Sequence, residues 1–126
     1  MNLQKNIDLI FLSPKNKEEK LVELKKLLSP FHQIIYTDFD DTLTDEKSLL
    51  YTKVKWLKKK GKAIDDIFLQ KHTILHQKTL QLLAQRNFKE LIIISRNDHQ
   101  VLKLFIKLFS HQFQEQGIHI KACIGC

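Results

Sequence analysis

"IIYTDFDDTLTD", Ile34 to Asp45, sets an apolar, β-prone run directly against a cluster of acids. A strand over Gln33 to Thr37, extending toward Phe39, would deliver Asp38 at its carboxyl end. In extended backbone Asp38 and Asp40 point to the same side. Two carboxylates that close resist joint ionisation unless a cation neutralises them or one keeps a proton. A hard divalent ion with oxygen ligands, Mg²⁺ above all, suits such a pair. One carboxylate can then act as a nucleophile and the other as a general acid and base.

The rest of the chain is read outward from this stretch. "LIIIS", Leu91 to Ser95, is a continuous apolar run of the kind buried on both faces of a parallel sheet. "IHIKACI", Ile118 to Ile124, reads as a further strand, and "IDLIFL", Ile7 to Leu12, as a first one. After the latter, Ser13 and Pro14 open a helix carrying Leu21, Leu24 and Leu28, which Ser29-Pro30 stops. Thr44 or Asp45 caps a helix with Leu49, Leu50, Val54 and Leu57 that Gly61 ends. Ile64 to Leu69 reads as a short helix. A longer one runs from Ile74 to Arg86, with a stop at Asn87. "RND" caps a helix lined by Val101, Leu104, Phe105 and Leu108, which Gly117 ends.

Strands alternating with helices predict an α/β fold: a three-layer, Rossmann-like sandwich with a mostly parallel sheet. Its chemistry gathers at the carboxyl ends of the strands. Asp38 and Ser95 both occupy that position.

Composition sets the outer bounds. The 126 residues suit a single domain, and 43% hydrophobic with 28% charged residues supports a globular core. The formal net charge of +7 attracts anions without choosing among them. The basic run "KVKWLKKKGK", Lys53 to Lys62, reads as a solvated helix face rather than a nucleic-acid patch. Nucleic acid is therefore not the expected partner. The only cysteines, Cys123 and Cys126, give no disulfide framework, so a reducing, cytoplasmic setting is expected. The N-terminus lacks a secretory signal and no stretch is long enough to span a membrane, so no membrane partner is expected. "CIGC" falls short of a zinc or redox site. His72 and His76, one helical turn apart, lack the accompanying Glu of a metalloprotease.

"DFDDTLT", Asp38 to Thr44, resembles the first motif of the haloacid dehalogenase (HAD) superfamily, Asp-x-Asp-x-Thr/Val-Leu/Val after a hydrophobic strand. "LIIIS" resembles its second, a hydrophobic strand ending in Ser or Thr. The resemblance implies a phosphatase in which Asp38 is the nucleophile and Asp40 the general acid and base. Asp38 and the Asp40 backbone carbonyl would hold Mg²⁺. It further implies that Thr42 holds the turn beside the substrate site and that Ser95 binds the phosphoryl group. Arg96 is a candidate for the same phosphate. The helix starting near Asp98 would aim its amides at that anion. Residues 45–71 would form a small helical cap insertion that selects substrate.

The family's later Lys and Asp motifs have no counterpart: after Ser95 come one helix and one strand, with no acid beyond Glu115. The resemblance thus implies a HAD-like phosphohydrolase lacking its C-terminal motifs, or a catalytically incomplete fragment or non-catalytic binding module of the same fold.

Overall fold

The computed structural model describes residues 2–29, 35–85 and 90–126. They fall into two compact units, Met1–Ile34 and Ile35–Cys126.

The first unit is helical. Helix α1 spans Leu3–Leu12 and α2 spans Lys17–Leu28, and the two pack together. The strand expected over Ile7 to Leu12 is therefore corrected to the second half of a helix. Periodicity explains the change: Leu3 and Ile7 are buried four residues apart and Ile10 follows half-buried, whereas Leu9 and Leu12 face solvent. The Asn2 side chain caps α1 by accepting from the Lys5 amide at 3.1 Å. Ser13 closes α1 instead of opening α2, its hydroxyl donating to the Ile10 carbonyl. The cap of α2 is Asn16, which accepts from the Glu19 amide while donating to the Glu19 carboxylate. Of the leucine stripe expected on α2, only Leu24 is buried.

The second unit is built on three parallel strands: β1 Ile35–Thr37, β2 Glu90–Ile94 and β3 His119–Ile124, with β2 in the middle. Thr37 pairs with Ile93 in register, and Ile94 with Ile124. Leu91, Ile92 and Ile93 are fully buried, as their unbroken apolar run requires. The architecture of the described residues is thus mixed α/β around a small parallel sheet of three strands, not four. The expected beginning of β1 at Gln33, the stop at Pro30 and the stop at Asn87 lie outside the described residues.

Among the described residues this unit also carries four α-helices: α3 Leu50–Lys59, α4 Asp66–His72, α5 Gln77–Gln85 and α6 His99–Glu115. The helix expected from Ile74 is shorter, because Ile74 and Leu75 are extended. Leu75 bridges Thr44 antiparallel, the Asp45 amide donates to the Ile74 carbonyl, and the His76 amide donates to the Leu43 carbonyl. Buried Ser48 adds a reciprocal pair, accepting from the Ile74 amide at 2.8 Å and donating to the Ile74 carbonyl at 3.2 Å. This neck joins the two ends of the excursion that carries α3 and α4. One hydrophobic cluster runs from Phe39 and Leu43 through Leu50, Val54 and Leu69 to Leu91, Ile93 and Phe105. The excursion therefore shares the core of the sheet. On α6 the buried stripe is Val101, Leu102, Phe105, Phe109 and Phe113, with Leu104 and Leu108 flanking it. Among the described residues, no helix is long and apolar enough to cross a membrane.

Asp45 caps not α3 itself but a short 3-10 turn, Glu46–Ser48, which ends in Leu49 at φ 50° and ψ 35°. A left-handed backbone costs an L-residue about 1–2 kcal/mol, and Leu49, 57% exposed, recovers little of that by burial. Glycine removes the clash but adds freedom to the unfolded chain, worth about 0.5–1 kcal/mol. Leu49→Gly is therefore expected to stabilise the protein by about 0.5 kcal/mol, read as a higher urea midpoint at unchanged slope. A lower midpoint would show that Leu49 makes contacts that matter more than its backbone strain.

Candidate functional site

Parallel pairing in register makes β1 and β2 end at the same edge of the sheet. Asp38 follows the last residue of β1, and Ser95 follows the last residue of β2. Both open into one cleft of about 390 Å³, lined also by Asp40, Asp41 and Arg96. The segment Leu49 to Thr52, where α3 begins, lines it as well.

Phe39 anchors the acids. It is fully buried and meets Phe105 edge-on, with ring centroids 4.7 Å apart. Its carbonyl accepts from the amides of Thr42, Leu43 and Thr44, so the chain reverses immediately after the strand. Asp41 takes the left-handed conformation within that reversal, at φ 63°, which Asp tolerates well. A buried ring between two acids thus throws both carboxylates toward the cleft.

Asp38 is exposed, and its Oδ1 accepts from the Phe39 amide at 2.8 Å. Asp40 is half-buried and held from the β2 side. Asn97 Nδ2 donates to its two oxygens at 3.3 and 3.2 Å, and the Ser95 hydroxyl lies 3.5 Å from Oδ2, at the outer edge of hydrogen-bond reach. Burial pushes the Asp40 carboxyl above the usual carboxylate range. The Asn97 hydrogen bond opposes this, the charges of Asp38 and Asp41 add to it, and a backbone hydrogen bond from Tyr51 again opposes it. One acid of the pair is therefore biased toward its protonated form. Ser95 Oγ accepts from the Asn97 amide at 3.0 Å while its own proton is directed along the long bond to Asp40 Oδ2.

The loop carrying these groups is zipped to the last residues of the chain. The Ser95 amide donates to the Ile124 carbonyl and the Cys126 amide to the Asn97 carbonyl; the His99 amide in turn donates to the Cys126 carbonyl. The Gly125 amide donates to His99 Nδ1 at 3.0 Å. Glycine is required there by close approach: a Cβ would stand 2.6 Å from His99 Cα and 2.7 Å from the Asn97 carbonyl oxygen. Cys123 is buried and Cys126 exposed, and neither is in a disulfide.

The expected residues thus divide. Asp38, Asp40, Ser95 and Arg96 converge on the cleft, whereas Thr42 does not line it and serves the turn through its amide. The start of α6 is not open to an anion. Asp98 accepts from the Gln100 and Val101 amides, and the His99 amide is taken by Cys126. Burial raises the Asp98 carboxyl, but the Lys58 hydrogen bond and charge outweigh it and leave it below the ordinary range. The basic run is also partly committed: Lys58 to Asp98, Lys53 to His72 at 3.2 Å, and Lys60 to the Trp56 ring.

Asn97, fully buried, is the site residue that sequence reasoning missed. Its only sequence signal is its place two residues after Ser95, between a charged residue and a helix cap. Among the described residues no group of three or more His, Cys, Asp or Glu side chains is placed to hold a metal ion. The oxygen donors at hand are Asp38 and Asp40. Mg²⁺ is commonly bound by one or two carboxylates, with water and substrate phosphate completing its shell, so this donor set fits it in kind. No family model matches the chain, and no curated protein or solved structure matches it either.

Proposed function

We propose that this chain is a HAD-like phosphohydrolase that cleaves a small phosphate ester with Mg²⁺ through an aspartyl-phosphate on Asp38. The observation that carries the reading is the pair of acids at one sheet edge: exposed Asp38 beside half-buried Asp40, whose carboxyl burial raises. In this reading the three strands are the centre of a Rossmann-like sandwich, and residues 45–71 are its cap.

The roles follow from the surroundings of each group. The Asp38 carboxylate attacks phosphorus, and the ester oxygen leaves with the proton of Asp40. Asp40, now ionised, takes a proton from water, which attacks phosphorus and releases phosphate and free Asp38. Ser95 donates its hydroxyl proton to a phosphoryl oxygen, and Arg96 at the mouth offsets phosphate charge. The Asp38 carboxylate and the Asp40 backbone carbonyl would hold Mg²⁺, whose contribution would be to neutralise the charge on the transferring group. A reducing, cytoplasmic setting belongs to the same proposal and rests on the two unbridged cysteines.

A second reading, a non-catalytic binding module, is favoured by one observation. Among the described residues lining the cleft, Arg96 is the one cation and no lysine is present. Hydrolysis of an aryl phosphate separates the two: Mg²⁺-dependent turnover supports the enzyme, and silence from a folded chain supports the module.

Asn97 gives the enzyme reading a pH signature. It lowers the Asp40 pKa by hydrogen bonding to the carboxylate. Replacing it with apolar Leu of similar size removes those bonds while keeping water out. The general acid must be protonated, so activity falls as pH rises through the Asp40 pKa. Asn97→Leu is expected to move that alkaline limb of kcat/KM upward. An unmoved limb in a folded variant would remove Asp40 from the role of acid.

A further inference from the structure

The outer face of α3 bears a feature that phosphoryl chemistry does not need. Tyr51, Thr52, Lys55, Trp56 and Lys59 line a second groove of about 390 Å³, which shares Tyr51 and Thr52 with the catalytic cleft. These positions fall on one helical stripe, and Tyr51 to Lys59 covers about 12 Å along the axis. Trp56 is 54% exposed and Tyr51 41% exposed. Rings of this size left at the surface beside a cleft point to a flat partner. Lys60 covers one face of the indole at 3.8 Å, and Lys55 reaches within 6.0 Å of the Tyr51 centroid.

Aromatic rings interleaved with ammonium groups are the chemistry that stacks a nucleobase and tracks its phosphates. An acyl chain would need a continuous aliphatic floor, and this groove has lysines instead. We infer that the phosphate ester is a nucleotide: its phosphate enters the cleft at Asp38 and its base lies against the Tyr51–Trp56 face, flanked by Lys55 and Lys59. The substrate assignment rests on the phosphohydrolase reading, whereas base binding to α3 stands without it.

Trp56 is the only tryptophan in the chain, so intrinsic fluorescence reports this face alone. The test titrates the protein with AMP and, in parallel, with ribose 5-phosphate, the same phosphate without a base, and measures hydrolysis of both. AMP is expected to quench the fluorescence and ribose 5-phosphate to leave it unchanged. Trp56→Leu is expected to raise the KM for AMP about tenfold and to leave that for ribose 5-phosphate unaltered. Equal KM values for the two esters with no quenching would overturn the nucleotide assignment while leaving the hydrolase intact. Quenching by AMP with no turnover of any ester would overturn the hydrolase and, with it, the substrate role, but keep the base-binding face. A 5′-phosphorylated oligo(dT) that binds at least about tenfold more tightly than AMP, with a steep salt dependence, would identify the source as a nucleic-acid end rather than a free nucleotide.

Discussion

Asp38→Asn is expected to lower Mg²⁺-dependent hydrolysis of an aryl phosphate by at least about a thousandfold, with folding stability changed by no more than about 0.5 kcal/mol. The substitution is nearly isosteric. The amide oxygen still accepts from the Phe39 amide, as Asp38 Oδ1 does at 2.8 Å, and the side chain is exposed. What disappears is the anionic oxygen that the proposed mechanism uses to attack phosphorus, together with one negative charge of the acid pair. In that mechanism activity should fall in kcat, since Ser95 and Arg96 remain to hold the phosphate. Loss of the covalent intermediate should show as failure to trap phosphate on the protein by acid quench. A variant that keeps a tenth or more of the wild-type rate would assign the nucleophile elsewhere.

Phe39→Ala carries the largest expected cost in stability, about 3–5 kcal/mol, because truncating a fully buried phenylalanine removes apolar contact and leaves a cavity. One feature sets Phe39 at the upper part of that range. Its ring is the edge-on partner of Phe105, which also touches Phe109 and Phe113, so the void would open in the centre of the aromatic cluster. A loss of this size is a large part of the total stability of a small domain, so thermal or urea unfolding should show a much lower midpoint. Tyr36, 41% exposed on β1, is the natural comparison, and Tyr36→Ala should cost far less. Similar losses for both would mean that the core is not centred on Phe39.

The sequence was most legible where local pattern and tertiary demand agreed. The apolar run into Asp38 and the run ending at Ser95 have the composition of buried parallel strands, and they pair side by side. Gly61 and Gly117 follow helices in the left-handed conformation their positions called for. Legibility failed where a short apolar run had two solutions. Ile7 to Leu12 alternates too poorly for a strand, and the upstream Leu3 supplies the helical period that decides its state. The spacing of Ile74 and Leu75 suits a helix, but hydrogen bonds of Ile74 to Asp45 and Ser48, and the bridge between Leu75 and Thr44, hold them extended. Asn97 was invisible for another reason. Its importance comes from Asp40, 57 residues earlier, and no local pattern encodes that contact.

The zipper between the chain's last residues and the loop from Ser95 to His99 seats the two linings of the cleft differently. One prolongs the sheet: main-chain hydrogen bonds with Ile124 and Cys126 fix the backbone that carries the Ser95 hydroxyl and the Asn97 clamp on Asp40. The other, Leu49 to Thr52, rests on the burial of Leu50 and Val54 in the shared core and on the neck at Thr44 and Leu75. Backbone pairing secures one and side-chain packing the other, so a core substitution and a loss of the last residues would disturb different halves of the cleft.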